Sequence, residues 1–350
     1  MSTDKLLAGL QVLEIAEGIA GPMGGKVFVD LGASVTRIEK PGGDWLQELA
    51  AEGEQNEAYR QLNAGKQILT IDLKTDAGRA QLDDLVAKAD ICILGVRRAK
   101  LERLGLAPER LRAITPGLIL CHISGWGSTG PMADQAASEL AVQVAAGLTR
   151  YLGAPDAPPV RQGFDIVSVD TGIAAVQAIL AALLWREQSG QGQLVEVSML
   201  ETAIAIMQWD TTAFSGPERW EGRQLTSHVG PSDHGFECAD ARCLIDLRSN
   251  EEAWPSLLRD IGCLDLAADP RFATAAALDL HVTKLPALTA PMMRQWSFAD
   301  LEKLVRDKYD GTIVPMLNLV QAVEHPQVRH IGVITDGPMR RTRFPMDFAR

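Results

Sequence analysis

The first residues in the chain that could take part in ligand chemistry are four glycines that follow the apolar run Gln11–Ala16. They are Gly18, Gly21, Gly24 and Gly25. Glu39 lies at the end of the next apolar run. In a dinucleotide site, an acidic residue at this position binds the ribose hydroxyls. The glycine spacing is G-x-x-G-x-x-G rather than G-x-G-x-x-G, and Pro22 lacks the backbone N–H that a phosphate would need. A nicotinamide nucleotide site and close helix–sheet packing both stay open for this turn.

Three further residues, His234, Cys238 and Cys243, could be combined into a metal site. Their spacing matches no common zinc pattern, and no fourth ligand lies close by in the sequence. We therefore expect structural roles for them and no metal. The five cysteines are odd in number and scattered, which indicates free thiols in a reducing cytoplasm. They are Cys92, Cys121, Cys238, Cys243 and Cys263.

The elements that would position such residues alternate between strand and helix over the first 200 residues. This alternation predicts an α/β fold, with a Rossmann-like large domain built on a parallel sheet. The predicted strands are Gln11–Ala16, Ser34–Glu39, Gln67–Leu73, Ile91–Leu94, Leu118–Ile123 and Leu194–Ser198. The predicted helices are Lys26–Leu31, Thr75–Ala89, Leu101–Ile114, Ser138–Leu148 and Thr171–Glu187.

The pattern changes after about Gly216. His234–Arg248 is typical of a hairpin that turns at Asp240–Arg242, and short helices follow between Asp-Pro and Leu-Pro breaks. An apolar strand is expected within His325–Val333. We therefore predict a large domain over residues 1–215, with a return segment at 331–350, and a smaller α+β domain over 216–330.

Composition excludes several classes of partner. The 350 residues carry 34 Lys and Arg against 45 Asp and Glu, a formal charge of −11, with no basic cluster that would bind nucleic acid or an anionic membrane. The most apolar stretch, Gly172–Trp185, is shorter than a bilayer span, so a buried core helix is expected. The first residues lack the pattern of a signal peptide. We therefore expect a cytoplasmic protein with no nucleic-acid partner and no membrane partner.

A set of motifs in fixed order from residue 7 to about 333 resembles family III CoA-transferases, the CaiB/BaiF group. The group includes formyl-CoA transferase, carnitine CoA-transferase and α-methylacyl-CoA racemase. The matching segments begin with L-x-G-x-x-V-L-E at Leu7–Glu14, A-G-P at Ala20–Pro22, D-L-G-A-x-V-x-R-I-E-K-P-G-G-D at Asp30–Asp44, I-D-L-K-T at Ile71–Thr75 and L-E-R-L-G-L at Leu101–Leu106. They continue with S-G-W-G-S-T-G-P at Ser124–Pro131, R-E-Q-S-G-Q-G-Q at Arg186–Gln193, V-S-M-L-E at Val197–Glu201 and H-P-Q-V-R at His325–Arg329.

The resemblance implies two chains interlocked like rings and coenzyme A or an acyl-CoA bound to the large domain as substrate. No tightly bound cofactor is implied. By position, Lys40 and Arg103 match the family's phosphate contacts, and Ile71 and Lys74 lie along its adenine-ribose groove. The loop that lines the thioester is here Gly95-Val96-Arg97-Arg98-Ala99, which puts Gly95 and Val96 at the cofactor-binding positions. Solvated surface charge is the alternative role for Lys40 and Arg103.

The family's nucleophile is an Asp within R-P-G-x-x-x-x-D-x-x-x-G, and here Ser168 stands at that position. A carboxylate is required because it attacks the donor thioester to give a mixed anhydride and then becomes an enzyme–CoA thioester. Asp170 is a possible substitute only if the backbone before Gly172 is irregular, since two helical residues turn a side chain by about 200°. Capping the following helix is its structural alternative, and Asp165 is a weaker candidate.

One carboxylate of the family pattern is kept. The Tyr-Asp or His-Asp pair ahead of the A-x-Q helix is here Ser138-Glu139, so Glu139 remains while the aromatic partner is lost. Because the racemases need that His as a proton carrier, racemisation is disfavoured.

Three functions follow from these residues. The first is an acyl-CoA:carboxylate CoA-transferase that acts on an acyl-CoA and a carboxylic acid, as a homodimer or as a heterodimer with a related subunit. The second is a catalytically impaired CoA-binding subunit that partners an active paralogue. The third is an NAD(P)-dependent oxidoreductase. Large aromatics (Trp126, Trp209, Trp220 and Trp254) could shape an apolar pocket, but their type alone is equally typical of a core.

Overall fold

A computed structural model describes residues 6–50, 56–150, 158–208, 235–247, 253–274, 277–278, 281, 284–335, 341–342 and 345. The chain divides into two compact units. One comprises residues 1–223 and 333–350, and the other residues 224–332.

The first unit is built on a six-stranded parallel sheet with the order β3-β2-β1-β4-β5-β6. Its strands are β1 (Gln11–Ala16), β2 (Ser34–Glu39), β3 (Gln67–Thr70), β4 (Ile91–Gly95), β5 (Ile119–Ser124) and β6 (Leu194–Ser198). This is the order of a doubly wound fold, with a topological switch between β1 and β4. The predicted α/β class with a parallel sheet is confirmed.

Helices accompany this sheet. They are α1 (Ala20–Asp30), α2 (Glu57–Asn63), α3 (Asp76–Val86), α4 (Arg98–Leu101), α5 (Pro108–Ile114), α6 (Glu139–Ala145), α7 (Ile166–Ser189) and α8 (Met199–Ala205). One apolar cluster joins α1 and α7 to the strands, and another joins α3 and α5 to them. Because both faces of the sheet are covered, β4 is buried along Ile91–Leu94 and reads as a continuous apolar run.

Three helix predictions had wrong boundaries. Helix α1 begins at Ala20 rather than Lys26, because Gly21, Gly24 and Gly25, predicted as part of a turn, lie in its first two turns. Helix α7 begins at Ile166 rather than Thr171. The predicted helix Leu101–Ile114 is interrupted, since Gly105 takes a φ of +73° and α5 starts afresh at Pro108.

Helix α7 is long and apolar enough to cross a bilayer by length and composition alone. Its buried residues, however, pack with α1 and the strands in one cluster, which includes Ala175, Val176, Ile179 and Ala182. This is the packing of a core helix, as expected for Gly172–Trp185.

The second unit contains a three-stranded antiparallel sheet of β7 (Phe236–Glu237), β8 (Arg242–Asp246) and β9 (Thr312–Pro315). The strands β7 and β8 form the expected hairpin. Its helices are α9 (Ala253–Asp260), α10 (Leu264–Ala267), α11 (Leu285–Met293), α12 (Phe298–Tyr309), α13 (Leu319–Glu324) and α14 (Pro326–Ile331).

The strand predicted within His325–Val333 is wrong. This segment forms α14, because Pro326 occupies the first helical position and Gly332 ends the helix with a φ of +60°. The chain then contributes a two-stranded antiparallel ribbon to the first unit, β10 (Ile334–Thr335) and β11 (Arg341–Thr342).

Candidate active site

A cleft of about 1230 Å³ opens at the carboxyl ends of β1 to β5 in the first unit. This is where parallel α/β sheets bind ligands, beside the switch between β1 and β4. All six residues expected at a CoA site line this cleft. They are Lys40, Ile71, Lys74, Gly95, Val96 and Arg103.

The cleft also holds basic residues that the motif comparison had not assigned. Arg97, Arg98 and Lys100 line it together with Arg103, on the short helical segment that follows β4. Lys40 forms an exposed ion pair with Glu17, with 2.8 Å between Nζ and Oε1. The sequence does contain a signal for these residues. Arg97, Arg98, Lys100 and Arg103 follow a buried strand, and the carboxyl ends of parallel strands are where ligands bind. Local cations on an acidic protein suit a polyphosphate ligand.

Ser168 lies in the first turn of α7 and lines the cleft, where it meets Glu139 at the start of α6. The Ser168 hydroxyl donates to Glu139 Oε2 at 2.6 Å, and the Ser168 backbone N–H donates to the same oxygen at 2.8 Å. Glu139 Oε1 accepts from the Val167 N–H at 3.1 Å and from Gln143 Nε2 at 2.8 Å. The α7 N-terminus has no side-chain cap from Asp165, so Glu139 caps it from another helix.

This arrangement has two structural consequences. The Glu139 carboxylate accepts the free N–H groups at the start of α7, and it places a carboxylate in the cleft beside Ser168. The motif comparison had identified Glu139 as a surviving carboxylate. It could not show that residues 29 positions apart are joined by a hydrogen bond.

The other two carboxylates near Ser168 are placed differently. Asp165 lines the cleft but forms an ion pair with Arg161. Asp170 is not among the described residues that line the cleft, and α7 is regular from Ile166 onward, so the irregular backbone that Asp170 requires is not present. Partial burial raises the pKa of the Asp170 carboxyl.

The glycine-rich turn serves close packing in α1. A Cβ on Gly21 would lie 2.3 Å from the Ala16 Cβ, and a Cβ on Gly25 would lie 1.8 Å from Glu14 Oε2. Glu14 in turn pairs with the buried Lys66 at 2.8 Å. Burial lowers the pKa of the Lys66 ammonium, although Glu14 opposes that shift. These contacts favour the packing interpretation of the turn.

Trp45 forms one wall of the cleft and was missed in the sequence. The buried Arg37 pairs with Asp44, whose carboxylate accepts the N–H of Gly18 at 2.9 Å and the N–H of Leu46 at 2.8 Å. The Trp45 ring covers Gly18, where an added Cβ would lie 2.7 Å from the ring. A buried ion pair therefore fixes the loop and presents a 43% exposed indole to the cleft.

The cleft is not lined by those residues considered for metal binding, or those large aromatics named in the sequence, that the structure describes. Cys238 and Cys243 are free and buried in the second unit, whereas His234 lies outside the described residues. Within the described ranges, no group of three or more His, Cys, Asp or Glu is arranged to hold a metal. Trp254 belongs to the core of the second unit and Trp126 donates to the Ala136 carbonyl at 3.3 Å. Trp209 and Trp220 lie outside the described residues.

Comparison with known proteins identifies the class to which this fold and cleft belong. Residues 7–350 match the sequence model of CoA-transferase family III. The succinate–glutarate CoA-transferase of Agrobacterium fabrum (strain C58) is 33% identical over 340 residues, which cover 94% of this chain and 84% of that protein. A probable fatty acyl-CoA transferase of Mycobacterium tuberculosis is 32% identical over 299 residues, with 81% and 75% covered.

Solved structures agree. The crystal structure of a CaiB/BaiF family protein from Brucella suis has a TM-score of 0.86 at 30% identity and covers 98% of this chain and 92% of that one. The chain belongs to CoA-transferase family III, which confirms the resemblance seen in its motifs and makes it an enzyme of the CoA-transferase class. CoA thioesters are the substrates of this class, and the oxidoreductase alternative loses its support.

Proposed function

We propose that the protein is an acyl-CoA:carboxylate CoA-transferase that moves CoA between organic acids, with Ser168 at the position of the family's nucleophile. The observation that carries the proposal is one cleft that holds both the six CoA-site residues and the Ser168–Glu139 pair. The relatives are named for succinate, glutarate and fatty acyl groups, so membership leaves the acyl group open.

The transfer requires an acyl-bearing side chain, and we assign it to Glu139. Oε2 of Glu139 attacks the thioester carbonyl carbon, the C–S bond breaks, and CoA leaves as a thiolate with a mixed anhydride left on Glu139. The thiolate then attacks the Glu139 carbonyl carbon and displaces the donor carboxylate, which leaves a glutamyl–CoA thioester. The acceptor carboxylate repeats both steps in reverse. No net proton is consumed.

The hydrogen bonds around Glu139 are compatible with this role. Its two oxygens accept four hydrogen bonds, and a carboxylate has about four lone-pair sites. Rotation of the Ser168 hydroxyl about its C–O bond frees one lone pair of Oε2. The remaining donors at the α7 N-terminus would stabilise the oxyanion of a tetrahedral intermediate formed at Glu139.

A second candidate function is a catalytically impaired CoA-binding subunit. The observation that favours it is the same closed set of hydrogen bonds, in which Glu139 serves as a helix cap and Ser168 offers no carboxylate. Under this alternative, the chain completes the dimer of an active paralogue.

A transfer assay separates the two functions. The purified chain is given butyryl-CoA or succinyl-CoA with acetate or succinate, and new acyl-CoA is measured. We expect turnover in the wild type and in Ser168→Ala and Asp170→Asn, and a loss of 100-fold or more in Glu139→Gln, whose amide oxygen still caps α7. Hydroxylamine should trap a hydroxamate on Glu139, detected by peptide mass spectrometry. An inactive wild type would favour the impaired subunit.

The remaining expectations complete the proposal. We propose an interlocked homodimer or a heterodimer with a related subunit, a large domain over 1–215 and 331–350, a smaller α+β domain over 216–330, and a cytoplasmic location. They are supported by the family resemblance and by the charge pattern. No metal and no tightly bound cofactor is invoked.

A further inference from the structure

We infer, on the basis of the proposed function, that the acyl group carried by CoA in this cleft is an apolar chain without a second carboxylate. The observations are the exposed apolar side chains that line the same cleft as the Ser168–Glu139 pair, and the charged groups near that pair. The apolar side chains provide surface that an acyl chain would bury. The charged groups determine whether a second carboxylate would find a cation.

The apolar wall consists of Trp45, Leu49 and Leu140. All three line the cleft, and they are 43%, 67% and 47% exposed. Leu140 directly follows Glu139, so it lies at the reaction centre. In the single chain these side chains are in contact with water, and an acyl chain lying in the cleft would cover them.

Trp45 is connected to the same end of the cleft through the packing of α1 on α7. Its ring covers Gly18, two residues before Ala20. A Cβ on Gly172 would lie 2.6 Å from the Ala20 carbonyl oxygen, so the first turns of the two helices touch. Ser168 lies one turn before Gly172. The indole and the Ser168 side chain therefore flank the N-terminal end of α1.

Glu139 and Asp165 disfavour a dicarboxylic acyl group, because they place two carboxylates at this end of the cleft. Lys40, Lys74 and Arg103 lie where the phosphates of CoA are proposed to bind, and Arg97 and Arg98 follow β4 in the loop expected to line the thioester. Arg161 is the cation of the segment that precedes α7, and Asp165 pairs with it. A second carboxylate brought here would have to share Arg161 with Asp165, and it would also approach Glu139.

The test is calorimetric titration with free CoA, butyryl-CoA, hexanoyl-CoA and glutaryl-CoA. Burying a methylene group changes affinity by about fourfold. We therefore expect hexanoyl-CoA, with two more methylenes, to bind about 15-fold tighter than butyryl-CoA, and glutaryl-CoA to bind more weakly than either. Trp45→Ala should reduce the hexanoyl preference to threefold or less with free CoA unchanged. Trp185→Ala is the control, since this exposed indole lies near the other end of α7.

A second variant tests the charge argument without touching the indole. Asp165→Asn should release Arg161 and strengthen glutaryl-CoA binding about fivefold, with hexanoyl-CoA unchanged. Tighter binding of glutaryl-CoA than of hexanoyl-CoA by the wild type would overturn the inference, as would an intact chain-length preference in both Trp45→Ala and Trp45→Phe. Failure to bind free CoA would instead overturn the proposed function.

Discussion

At the scale of single residues, the proposed site centres on the contact between Ser168 and Glu139. The motif comparison pointed to Ser168 and to Glu139 as separate departures from a family pattern. In the structure the two are one hydrogen-bonded unit, 2.6 Å apart. Neither local propensity nor spacing encodes such a contact, because it depends on how α6 meets the N-terminus of α7. Trp45 was missed for the same reason, since its exposure depends on the buried Arg37–Asp44 pair.

A prediction at this scale concerns Ser168, which stands at the position of the family's nucleophile beside Glu139. Ser168→Asp should raise CoA-thioester exchange at least tenfold above the wild type, because it adds a carboxylate of nearly the same volume in the first turn of α7. Ser168→Asn is the matched control, since it has the same shape but an amide that cannot act as the acyl carrier. Exchange is measured with labelled CoA and an acyl-CoA. Equal rates in the Asp and Asn variants would contradict the assignment of this position.

At the scale of elements, buried parallel strands were the most predictable part of the fold. The strands Gln11–Ala16, Ser34–Glu39 and Leu194–Ser198 have the predicted boundaries. Their apolar runs are bounded by polar or turn residues, so local sequence defines them. Helix α1 was less predictable, because glycines that usually end a helix lie inside it. They are retained where a neighbouring backbone or side chain leaves no room for a Cβ.

Gly172 provides a prediction at this scale. Gly172→Ala would gain up to about 1 kcal/mol of helix propensity. It would also place a Cβ 2.6 Å from the Ala20 carbonyl and 2.7 Å from the Met23 Cβ, neither of which can move without shifting α1. Overpacking should therefore dominate and cost about 1–3 kcal/mol in the free energy of unfolding, measured by urea denaturation.

The control for this variant is Gly163→Ala, at an exposed position where an added Cβ meets nothing within 4 Å. We expect it to change the free energy of unfolding by less than about 0.5 kcal/mol. If Gly172→Ala were as stable as this control, the close approach of α1 and α7 would not position the Ser168 end of the cleft.

At the scale of the whole molecule, the alternation of strands and helices was enough to predict the parallel sheet. Apolar residues recur with different spacing in helices and in strands, and long segments distinguish the two. The strand expected near His325 was wrong, since an apolar run of that length does not distinguish the two periods. The domain boundaries and the dimer remain predictions. The described surface bears on the dimer, since α6 and α8 bury Val142 and Ala203 against each other and leave Val144 and Ile204 exposed.

The last prediction follows from that apolar face. Monomeric proteins rarely leave contiguous apolar patches in water. We therefore expect sedimentation velocity at micromolar concentration to give twice the chain mass of 37.8 kDa, or the mass of a complex with a related chain. Val144→Glu combined with Ile204→Glu should lower the fraction of chains that assemble during folding, because burying an unpaired carboxylate is unfavourable. Ala87→Glu, at an exposed position after α3, controls for the added charge. A well-behaved 37.8 kDa wild type without a partner would contradict the interlocked assembly, since chains that thread one another should not separate without unfolding.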